Sequence, residues 1–128
     1  MNSYQLSGRS LTKLQGVHPD LVRVVQRALQ LSKVDFAVTE GVRTIERQAE
    51  LVAGGASRTM SSRHITGHAV DLAPIIGGQI SWAWPPFYDL ADAMKKAAAE
   101  LKVAVCWGGD WVTFRDGPHF ELDRKVYP

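Results

Sequence analysis

The sequence predicts an α+β fold, a small antiparallel sheet with helices packed on it. Three observations carry this. Two stretches place apolar residues at helical spacing, several short runs have strand character, and the two patterns mix without the regular βαβα rhythm of a parallel sheet. At 128 residues the chain suits one domain, 1–128. A chain of this size buries roughly two thirds of its unfolded surface, enough for a core without disulfides.

Residues 1–17 are polar and Gly-punctuated, with a short helical turn at Ser10–Gln15. Pro19–Ser32 reads as a helix, because Leu21, Val24, Val25, Ala28, Leu29 and Leu31 recur at its period and Pro19 suits its first turn. Val34–Thr39 reads as a strand. Thr44 is placed to cap a second helix, which Gly54-Gly55 ends. Ala56–His64 is a polar loop, and His68–Ala73 alternates as a strand does. Gly77-Gly78 marks a turn and Gln79–Trp84 a further strand. Pro85-Pro86 opens a helix to Leu101, with Leu90, Ala93, Met94, Ala97, Ala98 and Leu101 as its apolar stripe. Val103–Trp107 and His119–Leu122 complete the strands, joined by a Gly108–Gly117 loop.

The formal charge of +2 suits an anionic wall but is too small to argue for nucleic acid, and no basic cluster is interleaved with aromatics. The single cysteine, Cys106, excludes an internal disulfide and a cysteine zinc cluster; its apolar neighbours predict a buried small side chain. The sequence shows no secretory signal pattern and no apolar run long enough for a membrane span. Trp82, Trp84, Trp107 and Trp111 read as core or cleft lining, and one near a site could stack on glycan or peptide.

Chemistry concentrates in Ser62-Arg63-His64-Ile65-Thr66-Gly67-His68-Ala69-Val70-Asp71 and in Pro118-His119-Phe120-Glu121. Imidazoles and carboxylates in this mixture suit a catalytic zinc site, which takes three nitrogen or oxygen ligands and keeps one position open. The helical HExxH alternative fails, since Ile65 stands where its Glu belongs and Gly67 interrupts the helix. The first segment matches SxHxxGxAxD and resembles the zinc motif of VanY-type D-Ala-D-Ala carboxypeptidases and their phage L-alanyl-D-glutamate endopeptidase relatives. Asp116-Gly117-Pro118-His119-Phe120-Glu121 is similar to the DxPHFE element of that family, and Glu40-Gly41-Val42-Arg43-Thr44 with Gln48 to its EGxRT and RTxxxQ pattern.

The resemblance implies a hedgehog/D-Ala-D-Ala peptidase-like fold and one zinc ion held by His64, Asp71 and His119. Strand parity then separates His68 from Asp71, and Gly67 lets the chain bend so that His64 returns to Asp71. Asp116 occupies the family's general-base position; Glu121 is the alternative base or a partner orienting His119, and Asp110 a weaker candidate. Arg43 is expected to bind a substrate carboxylate or stabilise developing charge, and Ser62 to contact substrate. Two imidazoles and a carboxylate also suit other divalent ions. The implied activity is hydrolysis of the L-alanyl-D-glutamate bond of peptidoglycan stem peptides by a monomeric phage endolysin, made in the host cytoplasm and acting on the wall after release. A D-Ala-D-Ala carboxypeptidase or dipeptidase and a catalytically silent zinc-binding module are the alternatives.

Overall fold

The computed structural model describes residues 2–57 and 59–128. Its elements are α1 (Gly8–Lys13), α2 (Pro19–Leu31), β1 (Asp35–Glu40), α3 (Ile45–Ala53), β2 (Ala69–Ile76), β3 (Gln79–Ile80), α4 (Trp84–Leu101), β4 (Val105–Trp107), a 3-10 turn (Gly108–Asp110) and β5 (His119–Leu122). The sheet runs β1-β2-β5-β4, with β3 paired to β2, and every pairing is antiparallel. This is the predicted α+β architecture.

The helices form where the sequence supplies both an apolar face and a terminator. His18 caps α2 through its ring, which accepts the Asp20 amide, and Pro19 needs no amide partner in that first turn. Thr44 caps α3 by accepting from the Arg47 amide. Leu21, Val24, Val25, Ala28 and Leu29 of α2 are buried, as are Leu90, Ala93, Met94 and Ala97 of α4. Both helices join one cluster with Phe36, Val38, Val70, Leu72, Phe120 and Leu122 from the strands. Each Val, Leu, Phe or Met of this cluster contributes about 1.5–3 kcal/mol on full burial, so this layer holds the sheet in register.

Three expectations are corrected. The strand Gln79–Trp84 stops at Ile80, because Trp84 and the two prolines become the first turn of α4. The strand Val103–Trp107 begins at Val105: Lys102 ends α4 in the left-handed conformation (φ 59°), and Val103 donates back to the Ala98 carbonyl. Cys106 is exposed rather than buried. It lies opposite Glu121 in β5, whereas the buried Trp107 lies opposite Phe120, so alternation turns the thiol away from the helix layer. Among the described residues, no helix is long and apolar enough to cross a membrane.

Candidate metal centre and active site

The face of the sheet opposite the helices carries a row of polar side chains. Asp71 in β2 and His119 in β5 are direct cross-strand partners, and Ala69 faces Glu121 in the adjacent pair. Because paired residues share a face, Asp71, His119 and Glu121 point the same way while Val70, Phe120 and Leu122 enter the core. In β1 the register slips between Val38 and Glu40, which places Glu40 opposite Asp71. Without that bulge Thr39 would oppose Asp71 and Glu40 would fall on the core face.

His64 arrives from a turn, not a strand. Ser62 Oγ accepts the His64 amide at 3.2 Å, and the Gly67 amide donates to the His64 carbonyl at 3.3 Å. Gly67 has φ +79°, and a Cβ there would lie 2.6 Å from the Gly16 carbonyl oxygen, so only glycine fits the bend. His64 Nδ1 lies 2.9 Å from the Gly41 carbonyl oxygen, and the ring is buried. With Nδ1 at that carbonyl, Nε2 is the ring atom that faces Asp71 Oδ1, 3.1 Å away. His119 is fixed in the opposite tautomeric sense. Its Nε2 is 2.8 Å from Glu121 Oε1, and its Nδ1 is 3.5 Å from Asp71 Oδ1.

The ligand atoms of His64, Asp71 and His119 lie within 4.8 Å of one another. The donor separations of 3.1 and 3.5 Å can be tested against a tetrahedral site. Bonds near 2.05 Å at tetrahedral angles separate ligand atoms by about 3.3 Å, so two imidazole nitrogens and a carboxylate oxygen at these spacings fit a small divalent ion. His68 stands apart, its Nδ1 2.7 Å from Thr66 Oγ1 and its ring 5.8 Å from that of His18.

The electrostatics of the cluster couple its four members. Burial opposes ionisation of Asp71, but the His119 and His64 imidazoles outweigh it and hold the carboxyl well below the usual range. Burial would lower the His119 pKa, yet Asp71 and Glu121 raise it to about 9. Glu121 is pulled down by His119 and Arg124 against its own burial. Asp116 goes the other way, raised by burial and by the Asp71 charge.

A cleft of about 420 Å³ opens over this row, and Arg43, Ser62, His64, Asp71, Asp116 and His119 all line it. Glu121 lines it too, beside His119. Asp110 does not; it forms a surface ion pair with Lys95 at 2.8 Å. Arg43 is only 8% exposed, with Nε and Nη2 donating to the two Glu40 oxygens at 2.7 and 2.8 Å and Nη1 to Gln48 at 2.7 Å. Its Nη2 also lies 3.6 Å from Asp71 Oδ2.

Sequence reasoning gave the supporting glycines no role, although its reading of the tryptophans as core or cleft lining fits the buried Trp107 and the cleft-lining Trp111. A Cβ on Gly41 would sit 1.8 Å from the Lys13 carbonyl oxygen, so the carbonyl that fixes His64 depends on glycine there. Gly108 follows the strand residue paired with Phe120, and a Cβ on it would fall 2.4 Å from the Asp116 carbonyl oxygen. Trp107 Nε1 donates to the Gly117 carbonyl at 2.7 Å, and the Trp111 ring lies 5.0 Å from that of His119. A glycine pair directly after a strand is a recognisable sign of close backbone approach; the tryptophan contacts have no such signal.

Fold and site together define an α+β protein whose sheet carries a candidate mononuclear metal triad. Comparison with known proteins narrows this class. The family profile described as phage L-alanyl-D-glutamate peptidase matches residues 2–127, and the chain belongs to that family. It is 36% identical over 129 residues to the L-alanyl-D-glutamate peptidase of Escherichia phage T5, covering 98% of this chain and 93% of that protein. The crystal structure of the Serratia marcescens L-Ala D-Glu endopeptidase ChiX superposes with a TM-score of 0.92 at 47% identity, covering 98% of this chain and 96% of that one. The vancomycin-resistance D,D-dipeptidase VanXYg shares the fold alone, with a TM-score of 0.55 at 20% identity over 83% of this chain and 50% of that one.

Proposed function

We propose that this chain hydrolyses the amide between L-alanine and D-glutamate in peptidoglycan stem peptides, with one zinc ion held by His64, Asp71 and His119. The observation that carries the reading is the Asp71–His119 cross-strand pair, with His64 at ligand spacing and Asp116 lining the same cleft. A bound zinc ion supplies Lewis acidity toward the scissile carbonyl and lowers the pKa of water at the site. The protein supplies the rest. Gly41 and Glu121 take the outward N–H of His64 and His119, so each ring presents a lone pair inward.

Asp116 is the general base. Its carboxyl is desolvated and raised, which suits a group that takes a proton from attacking water and returns it to the leaving amine. Water adds to the carbonyl carbon, forming the new C–O bond, and collapse of the tetrahedral adduct then breaks the C–N bond, the amine of D-glutamate departing with that proton. Arg43 acts through Asp71, because Glu40 and Gln48 already occupy its guanidinium; Ser62 anchors the His64 turn and borders the substrate. We further propose that the chain acts as a monomeric phage endolysin, made in the host cytoplasm and reaching the wall on release.

The test is mass spectrometry of products released from purified Gram-negative peptidoglycan, with zinc and with chelator. Chelator-sensitive release of peptides beginning with D-glutamate is the expected result. Loss of terminal D-alanine alone would make the protein a carboxypeptidase, and absence of any product would leave a zinc-binding module.

A further inference from the structure

A second groove shares one lining residue, Asp116, with the first. It has a volume of about 230 Å³ and is lined by Trp82, Trp84, Phe87, Arg115 and the Asp116-Gly117-Pro118 backbone segment. Its character differs from that of the main cleft, where Arg43, Arg63 and Arg124 stand among the carboxylates of Glu40, Asp71, Asp116 and Glu121. Trp82 is 63% exposed, although its ring stacks beside Phe87 at 6.3 Å and 27°. Trp84 is 39% exposed and is held from one side: the Arg115 guanidinium lies 4.4 Å from its ring centroid. Arg115 is itself anchored, donating to the Gly109 carbonyl at 2.8 Å and to the Tyr88 hydroxyl at 3.2 Å. The two indoles are therefore set in place beside the site, with ring surface left to solvent.

We propose that this aromatic groove binds the amino-sugar that carries the stem peptide. The inference rests on the peptidase reading above. The L-alanine nitrogen of a stem peptide is acylated by the lactyl ether of N-acetylmuramic acid, so a sugar ring lies about two residue lengths, roughly 7 Å, from the scissile carbonyl. A groove that starts at the proposed base is within that reach. The chemistry divides in the same way. The D-glutamate side of the bond is polar and matches the charged lining of the main cleft, while the glycan side offers pyranose C–H faces and N-acetyl groups, which match indoles and a guanidinium. The enzyme accordingly prefers stem peptides still attached to glycan over free peptides.

The test uses the full-length chain and a peptide-free tetrasaccharide of alternating N-acetylglucosamine and N-acetylmuramic acid. In NMR titration the indole N–H signals of Trp82 and Trp84 are expected to shift, while that of the buried Trp107 stays. Trp82→Ala should weaken binding about tenfold, the range of one lost aromatic contact, and Trp82→Phe should retain most of it. The ratio of kcat/KM for glycan-linked over free stem peptide should fall by a similar factor in Trp82→Ala. No shift in the wild-type protein, or movement of Trp111 alone, would overturn the proposal without recourse to any variant. Tetrasaccharide binding with no hydrolysis of either peptide substrate would instead sink the peptidase reading and leave the sugar site standing.

Discussion

The triad and the proposed base are held by different means. Asp71 and His119 are fixed by strand register, and the helix layer behind them fixes that register in turn. Asp116 sits on an irregular segment between the 3-10 turn and β5, tied by its amide to the Gly108 carbonyl at 3.0 Å and by the neighbouring Gly117 carbonyl to Trp107. The strand-borne groups also stabilise one another's charges, whereas Asp116 is penalised by the Asp71 charge. One contact joins the two, the His119 amide donating to the Asp116 carbonyl at 3.3 Å; apart from it the proposed metal-binding and proton-transfer groups have separate supports, which substitutions should divide.

The largest effect belongs to the strand side. Asp71→Asn removes the anionic ligand and the partner of both imidazoles, so zinc stoichiometry should fall toward zero and hydrolysis below detection. Metal analysis after dialysis, with product release in parallel, checks this; full zinc occupancy in that variant would remove Asp71 from the ligand set. Next comes the loop side. Asp116→Asn should keep zinc but lower kcat about 10²–10⁴-fold, the usual contribution of a general base. The same change should raise the melting temperature of the metal-free protein at neutral pH, because it deletes a carboxylate whose ionisation the fold disfavours. Wild-type turnover in this variant would transfer the role to Glu121.

Two milder changes sharpen the division. Glu121→Gln weakens the acceptor that orients His119, and zinc affinity should drop about 10–100-fold with activity largely recovered at saturating zinc. Gly108→Ala drives a Cβ to 2.4 Å from the Asp116 carbonyl oxygen and to 3.1 Å from His119 Cβ, so it should displace the proposed base most and crowd His119 less. A loss of about tenfold in kcat at saturating zinc is expected, with a smaller change in zinc affinity, since small misplacements of catalytic groups are costly. Parallel loss of zinc would mean that the two supports are one.

The strand side was the more legible in sequence, for a physical reason. Period-two alternation sorts His119 and Glu121 from Phe120 and Leu122, and Asp71 from Val70 and Leu72, and pairing then needs only a register. Local caps were equally readable: Thr44 and Gly54 bound α3 as their chemistry dictates. What failed was local information that competes. Gln79–Trp84 has strand character, but the prolines that follow claim Trp84 for a helix. Cys106 sits in an apolar run that suggests burial, and only strand parity assigns it to the exposed face. The β1 bulge that turns Glu40 toward Arg43 and Asp71 has no sequence signature at all. Arg43 was singled out by motif, yet its engagement by Glu40 and Gln48 depends on how the chain turns from β1 into α3, which the residue types alone do not show.

The smallest predicted effect concerns pH and the metal-free triad. The pKa of His119 is raised from 6.5 to about 9 by Asp71 and Glu121, against its burial. The native state then holds a proton that the unfolded state releases, so this group's stabilisation is complete below pH 6.5 and disappears as pH climbs through about 9. Asp71 contributes with the opposite limb: its stabilisation is present above the ordinary carboxylate value of 3.8 and is lost as pH falls through its depressed native value. Metal-free protein should therefore lose melting temperature between pH 6.5 and 9. Zinc requires the neutral imidazole, so the zinc-loaded protein should not share this alkaline decline, and the gap between the two melting curves should widen as pH rises. A metal-free melting temperature that stays flat across that interval would mean that His119 is neutral in the empty site, with the Asp71 contact too weak to retain the proton.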